Sequence, residues 1–134
     1  MTPSPTAGSG RVLDASALES AATGKHVYVR ALIAMALQSG TVTLLTPVTA
    51  YVQALAVIPQ DLRWQLMLLT TSPGVEIDLL DDREKAHEIA DLGGDDATLA
   101  HVAWCGLSRR WPVVSDRMFD LRTLAPALEV EPLP

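Results

Sequence analysis

No charged residue stands between Arg30 and Asp61. The chain also holds a single cysteine, a single phenylalanine and only 4% aromatic residues. Each scarcity excludes something. Cys105, alone, cannot close an internal disulfide, which fits a cytoplasmic setting better than an oxidising one. No Gly-rich phosphate loop is present, since Gly93-Gly94 reads as a helix terminator and lacks the lysine such a loop needs. The histidines His26, His87 and His101 stand at no metal-ligand spacing, and His87 falls on a charged, solvated helix beside Glu84 and Glu88. Bases are outnumbered, 10 to 16, giving a formal net charge of -6. Such a chain does not hold nucleic acid by bulk attraction.

The chargeless stretch invites a membrane reading, which its own residues refuse. Gln38, Ser39 and Gly40 interrupt it, followed by Thr41, Thr43, Thr46, Pro47 and Thr49. Its longest apolar run, Ala31 to Leu37, is far short of the ~20 residues a spanning helix needs. The stretch is read as several buried elements joined by turns. With 134 residues and 49% hydrophobic content, the chain suits one domain with a sizeable core. The opening residues 1–10, rich in Pro, Ser, Gly and Thr, lack the basic start and apolar core of a secretory signal and are expected to be a disordered tail. The domain is expected to span 11–134.

Periodicity supplies the elements. Val12-Leu13 is a short apolar run ending on Asp14. Ser16 and Glu19 have the spacing of a capping box and predict a helix start. An all-round apolar helix is expected from His26 to Gln38, ended by Gly40, then a strand from Thr41 to Leu45. Thr46-Pro47 turns into a second apolar helix, Thr49 to Val57, and Pro59 opens another through Leu69. Strict alternation marks a strand from Val75 to Leu79. An amphipathic helix follows from Asp82 to Leu92. Asp95-Asp96 then start a helix whose stripe is Leu99, Ala100, Ala103, Trp104 and Leu107, a setting in which Cys105 is a buried small hydrophobe. Pro112 to Val114 and Leu128 to Val130 are short strands. Strands alternating with helices predict an α/β sandwich with a mainly parallel sheet.

In open parallel sheets, functional groups collect beyond the carboxyl ends of strands. Asp14 and Asp116 each follow an apolar strand, and Asp96 opens a helix that leads back to the sheet. Carboxylates converging there repel unless a divalent cation neutralises them, and magnesium suits one or two carboxylates plus water. The bland alternatives are a turn acid for Asp14 and helix N-caps for Asp95 and Asp96. Glu19 is assigned to the capping box.

These residues resemble the motifs of PIN domains. The run Val12-Leu13-Asp14-Ala15-Ser16 is similar to the opening motif, an Asp after a hydrophobic strand with Ser or Thr two places on. Asp96-Ala97 resembles the later Asp-Ala motif, and Asp116 with Phe119 the closing one. Order, spacing and length resemble the small VapC-like ribonucleases of toxin–antitoxin pairs, over roughly Arg11 to Glu131. The resemblance implies a three-layer PIN-like fold and a Mg2+- or Mn2+-dependent endoribonuclease that hydrolyses RNA through a cluster of acids, typically four. Asp14, Asp96 and Asp116 would be three of them, as catalytic and metal-holding residues, with Ser16 in support.

Two departures accompany it. Sliding the closing motif by one residue puts Ser115 at the position of a supporting Thr and Arg117 at the acid. The helix after the second strand lacks the usual Glu and places Tyr51 there instead; Asp95 and Asp120 are the acids available as substitutes. A catalytically degenerate PIN-like domain that binds or dimerises is therefore the alternative reading. The acid-dense span from Glu76 to Asp96 is a solvated face or a surface for a basic antitoxin-like partner. Arg109, Arg110, Arg117 and Arg122, near Trp111, are the bases available for RNA. Apolar helices between His26 and Val57 exceed what one sheet need bury, so a homodimer is expected.

Overall fold

A computed structural model describes residues 10–134. Residues 1–9 of the expected tail lie outside the described residues; Gly10 instead begins the first strand. The elements are β1 (Gly10–Leu13), α1 (Ala15–Thr23), α2 (Val27–Ser39), β2 (Thr43–Pro47) and α3 (Val48–Val57). A 3-10 turn (Gln60–Leu62) leads into α4 (Arg63–Thr70), then β3 (Val75–Asp78), α5 (Arg83–Asp91) and α6 (Ala97–Arg109). The chain closes with β4 (Val113–Ser115), α7 (Met118–Leu124) and β5 (Val130–Pro132).

One five-stranded sheet has the order β3-β2-β1-β4-β5, and every pairing is parallel. Val12 pairs with Leu45 on one side and with Val113 on the other. Parallel strands covered by helices on both faces need apolar residues at successive positions. That is what β1, β2 and β4 supply: Val12, Leu13, Leu44, Leu45, Val113 and Val114 are all essentially inaccessible. The architecture is the PIN-like α/β/α sandwich expected from the motifs.

Several local readings are corrected. Asp14, not Ser16, caps α1: its carboxylate accepts from the Ala17 N–H at 2.9 Å, and the helix begins two residues earlier than a Ser16 cap allows. The second strand runs two residues further, with Pro47 as its last residue and α3 following at once. The terminal strand is shifted to Val130–Pro132. Helix α7 had no counterpart in the sequence reading; it is seven residues long, with Leu121 buried and Met118 and Leu124 packed against the core. None of the described helices is long and apolar enough to cross a membrane.

Close approaches set two glycines. The Trp111 ring lies flat over Gly10, where a Cβ would come within 2.1 Å of it. A Cβ on Gly106 would meet Leu128 at 2.6 Å and Val113 at 2.9 Å, so α6 sits on the sheet only because that side chain is missing.

Candidate active site

The chain runs from β1 outward to β2 and β3, then returns across the sheet to place β4 on the other side of β1. The connections thus reverse direction between β1 and β4, the location where open α/β sheets bind ligands beyond their carboxyl ends. Asp14 follows β1 and Asp116 follows β4. A cavity of about 230 Å³ opens there, lined by both residues together with Ser16, Glu19, Gln53, Asp96 and Arg117. The three aspartates named from the sequence therefore face one cavity.

Asp14 is 4% exposed and fully engaged. Its Oδ1 accepts from the Ser16 hydroxyl at 2.6 Å and from the Ala17 N–H, and its Oδ2 accepts from the Ser115 hydroxyl. Burial pushes its carboxyl above the usual range, although these three donors work the other way. Ser16 Oγ in turn accepts from the Asp116 N–H at 3.1 Å, and Ser115 Oγ accepts from the Arg117 N–H at 2.8 Å. The two serines thus tie the loop after β4 to the end of β1. Both were named as supporting residues, and each contacts Asp14 directly.

Asp96 caps α6 through the Leu99 N–H at 3.0 Å while also lining the cavity. Its Oδ2 accepts from Arg117 Nη1 at 3.1 Å. The Leu99 bond first, and then Arg117, hold its carboxyl below the usual range despite partial burial. Asp116 is exposed at the mouth. Asp95 and Asp120, the expected substitutes, are not among the cavity residues; Asp95 is solvent-facing and Asp120 pairs with Arg117 at 3.2 Å.

The helix after β2 contributes Gln53 to the cavity. Tyr51, placed there by the motif, instead packs against the hydrophobic core. No acid of α3 reaches the site by either assignment, because α3 contains none. Glu19, which the sequence assigned to a cap, is instead the fourth carboxylate. Burial, and then the charges of Asp116 and Asp14, push its carboxyl up. Its signal was present in the sequence as an acid one helical turn beyond Ala15 and Ser16, hence on the same face of α1.

Four carboxylates thus share the cavity with a single cation, Arg117, among its described lining residues. Burial is the main cause of the upward shifts of Asp14 and Glu19, and the charge of Asp116 adds to both. An all-oxygen donor set with that excess of carboxylates fits a hard divalent cation. The carboxylates are not drawn into the 4.8 Å grouping that unites Asp78, His101 and Cys105 elsewhere among the described residues.

The expected basic cluster divides. Arg117 is at the cavity, at the N-terminal end of α6, whereas Arg109 stacks on Trp111 at its C-terminal end, 5.1 Å from the ring centroid. Thirteen helical residues separate the ends, about 20 Å.

With the geometry in place, the fold defines the class: a PIN-like α/β domain with an acidic cavity at the strand ends. Its likeness to a solved structure agrees. The chain superposes on a chain of VapBC2 from Rickettsia felis, solved bound to a DNA fragment from its promoter, with a TM-score of 0.68 at 9% identity, covering 92% of this chain and 98% of that one. No protein-family model matches the sequence, and no curated protein sequence matches it either.

Proposed function

We propose that this protein is a Mg2+- or Mn2+-dependent endoribonuclease of the toxin type. The observation that carries the proposal is the meeting of Asp14, Asp96, Asp116 and Glu19 in one cavity where the strand connections reverse. Asp14, Asp96 and Asp116 would hold the cation, with Glu19 completing the acidic set. Bound there, the cation would lower the pKa of a water and steady charge on a phosphoryl group.

The chain's own residues account for the rest. Ser16, Ser115 and the Ala17 N–H fix both oxygens of Asp14, so this carboxylate is presented without reorganisation. Glu19, whose carboxyl is pushed up, is suited to accept a proton from the attacking water. Arg117, half-exposed at the mouth, offers guanidinium donors to a phosphodiester. This local cation is how a protein of net charge -6 would engage RNA.

The structural likeness to a VapBC2 chain supports a partner of the antitoxin kind. The acid-rich surface from Glu76 to Asp91 suits a basic one. Exposed apolar side chains on α2, α3 and α4, among them Met35, Val52, Trp64 and Met67, support a homodimer.

The test is cleavage of an unstructured RNA by the purified full chain with Mn2+ or Mg2+ titrated from zero. Metal-dependent cleavage that disappears in Asp14→Asn is the expected result. An intact, folded protein that leaves the RNA uncut at millimolar metal overturns the reading in favour of a binding module.

A further inference from the structure

A second constellation lies apart from the acidic cavity, between the end of β3, the start of α3 and the middle of α6. His101 and Cys105, one turn apart on α6, are both fully buried. Asp78, the last residue of β3, accepts on a single oxygen, Oδ2, from His101 Nε2 at 2.8 Å, from Cys105 Sγ at 3.4 Å and from Lys85 Nζ at 2.8 Å. The ligating atoms of Asp78, His101 and Cys105 all lie within 4.8 Å of one another. A carboxylate, an imidazole and a thiol buried together are the donor types that zinc takes.

The surroundings supply what such a centre requires. A metal-bound imidazole presents one nitrogen to the ion and donates the other N–H to a fixed acceptor. His101 Nδ1 already stands 2.8 Å from Thr49 Oγ1, which can act as that acceptor. Tetrahedral ligands on zinc are separated by about 3.3–3.6 Å, given bond lengths of about 2.0–2.3 Å. The Asp78–Cys105 separation of 3.4 Å already meets this, and the Asp78–His101 contact must open by about half an ångström. The competing cation is Lys85. Its ammonium also lies 3.9 Å from Asp81, a solvent-facing carboxylate to which it can withdraw.

We propose that Asp78, His101 and Cys105 form a binding site for zinc or a similar soft divalent ion, with Lys85 occupying it in the absence of metal. This site is separate from the cavity proposed for catalysis and does not depend on that reading. Binding replaces the Cys105 S–H by a sulfur–metal bond and releases that proton to solvent. The His101 proton moves from Nε2 to Nδ1, where Thr49 accepts it, so one proton is released per ion. The ion would join β3 to α6, the helix that carries Asp96, and stabilise the fold as any ligand of the native state does.

The experiment uses the full-length protein stripped with a chelator. Co2+ is titrated while thiolate-to-metal charge-transfer absorption is followed, and Zn2+ is then used to displace it. Expected are a saturating charge-transfer band at one equivalent, its loss in Cys105→Ser, and a rise of several degrees in Tm with excess Zn2+. Because Cys105→Ser disturbs a buried site, Lys85→Met is the second variant. It removes a stabilising ion pair, yet should tighten Co2+ binding about tenfold. A wild-type protein that takes up no Co2+ into a thiolate band overturns the proposal. So does a band that persists in Cys105→Ser, or a Lys85→Met protein that binds Co2+ no more tightly.

Discussion

Arg117 Nη1 donates to Asp96 Oδ2 across 3.1 Å, placing a guanidinium against one of the carboxylates proposed to hold a cation. The pair links the loop after β4 to the cap of α6. Arg117 also reaches Asp120 at 3.2 Å, so one arginine divides its donors between an acid inside the cavity and one outside it.

Replacing Arg117 by alanine should therefore separate two effects. The side chains of Arg117 and Asp96 are 45% and 40% exposed, so stability should change by no more than about 1 kcal/mol. Removing one positive charge from a cavity with four carboxylates should raise Mn2+ affinity several-fold. Isothermal titration of the metal-free variant measures this, and weaker Mn2+ binding would contradict the site's charge balance.

Asp14→Asn should stabilise the metal-free protein at neutral pH while abolishing cleavage. The folded carboxyl is raised above its unfolded value, so its charged form is disfavoured in the native state. The associated destabilisation is absent below the unfolded pKa of about 3.8 and grows as pH rises through the raised folded value. Glu19 shifts in the same direction and adds to it. Denaturant midpoints at pH 4 and pH 7 should show the gain from Asp14→Asn at the higher pH alone. Loss of a ligand should reduce cleavage by at least about 100-fold.

Asp78→Asn should behave in the opposite way. Burial works against the Asp78 charge, but hydrogen bonds from Lys85, His101 and Cys105 outweigh it and hold the carboxyl below its usual range. The stability it contributes is present above the unfolded value near 3.8 and lost as pH falls through the depressed folded value. Stranding the buried His101 and the Lys85 ammonium should cost about 3 kcal/mol at pH 7. Equilibrium unfolding at pH 7 and below pH 3 checks both the size and the convergence of the two proteins in acid.

Gly106→Ala should destabilise the chain by about 2 kcal/mol, because the new methyl meets the side chains of Leu128 and Val113 and the Trp111 carbonyl oxygen. Gly106 is not among the residues that line the cavity, so metal binding by the folded variant should be unchanged. A midpoint equal to wild type would show that α6 can lift from the sheet at no cost.

Much of the fold was legible because burial on both faces imposes simple rules. Val12-Leu13 and Val113-Val114 read as strands because a covered parallel strand has no polar side to show. Helix α7 escaped although Met118, Leu121 and Leu124 recur at helical spacing and pack on the core, because seven residues are about two turns, too short a window for a period to stand out. The cap was misassigned to Ser16 because Asp14 and Ser16 both suit it, and only the backbone places the first helical residue at Ala15. Tyr51 and Gln53 differ by two residues, about 200° around α3, so a small slip in motif alignment exchanges core for cavity.

The sequence by itself determined the layered α/β class, the three aspartates and the absence of acid between Arg30 and Asp61. Those are properties of residue type and local period, which a linear reading reaches. Only the tertiary structure decided that Glu19 is the nearby fourth carboxylate, that Arg117 is the cavity's counter-charge, and that His101 and Cys105 meet Asp78 from 23 and 27 residues away. The reason is physical. Repulsion, burial and ligation depend on distances across the sheet, and those are fixed by the crossover that sets β4 beside β1, not by spacing along the chain.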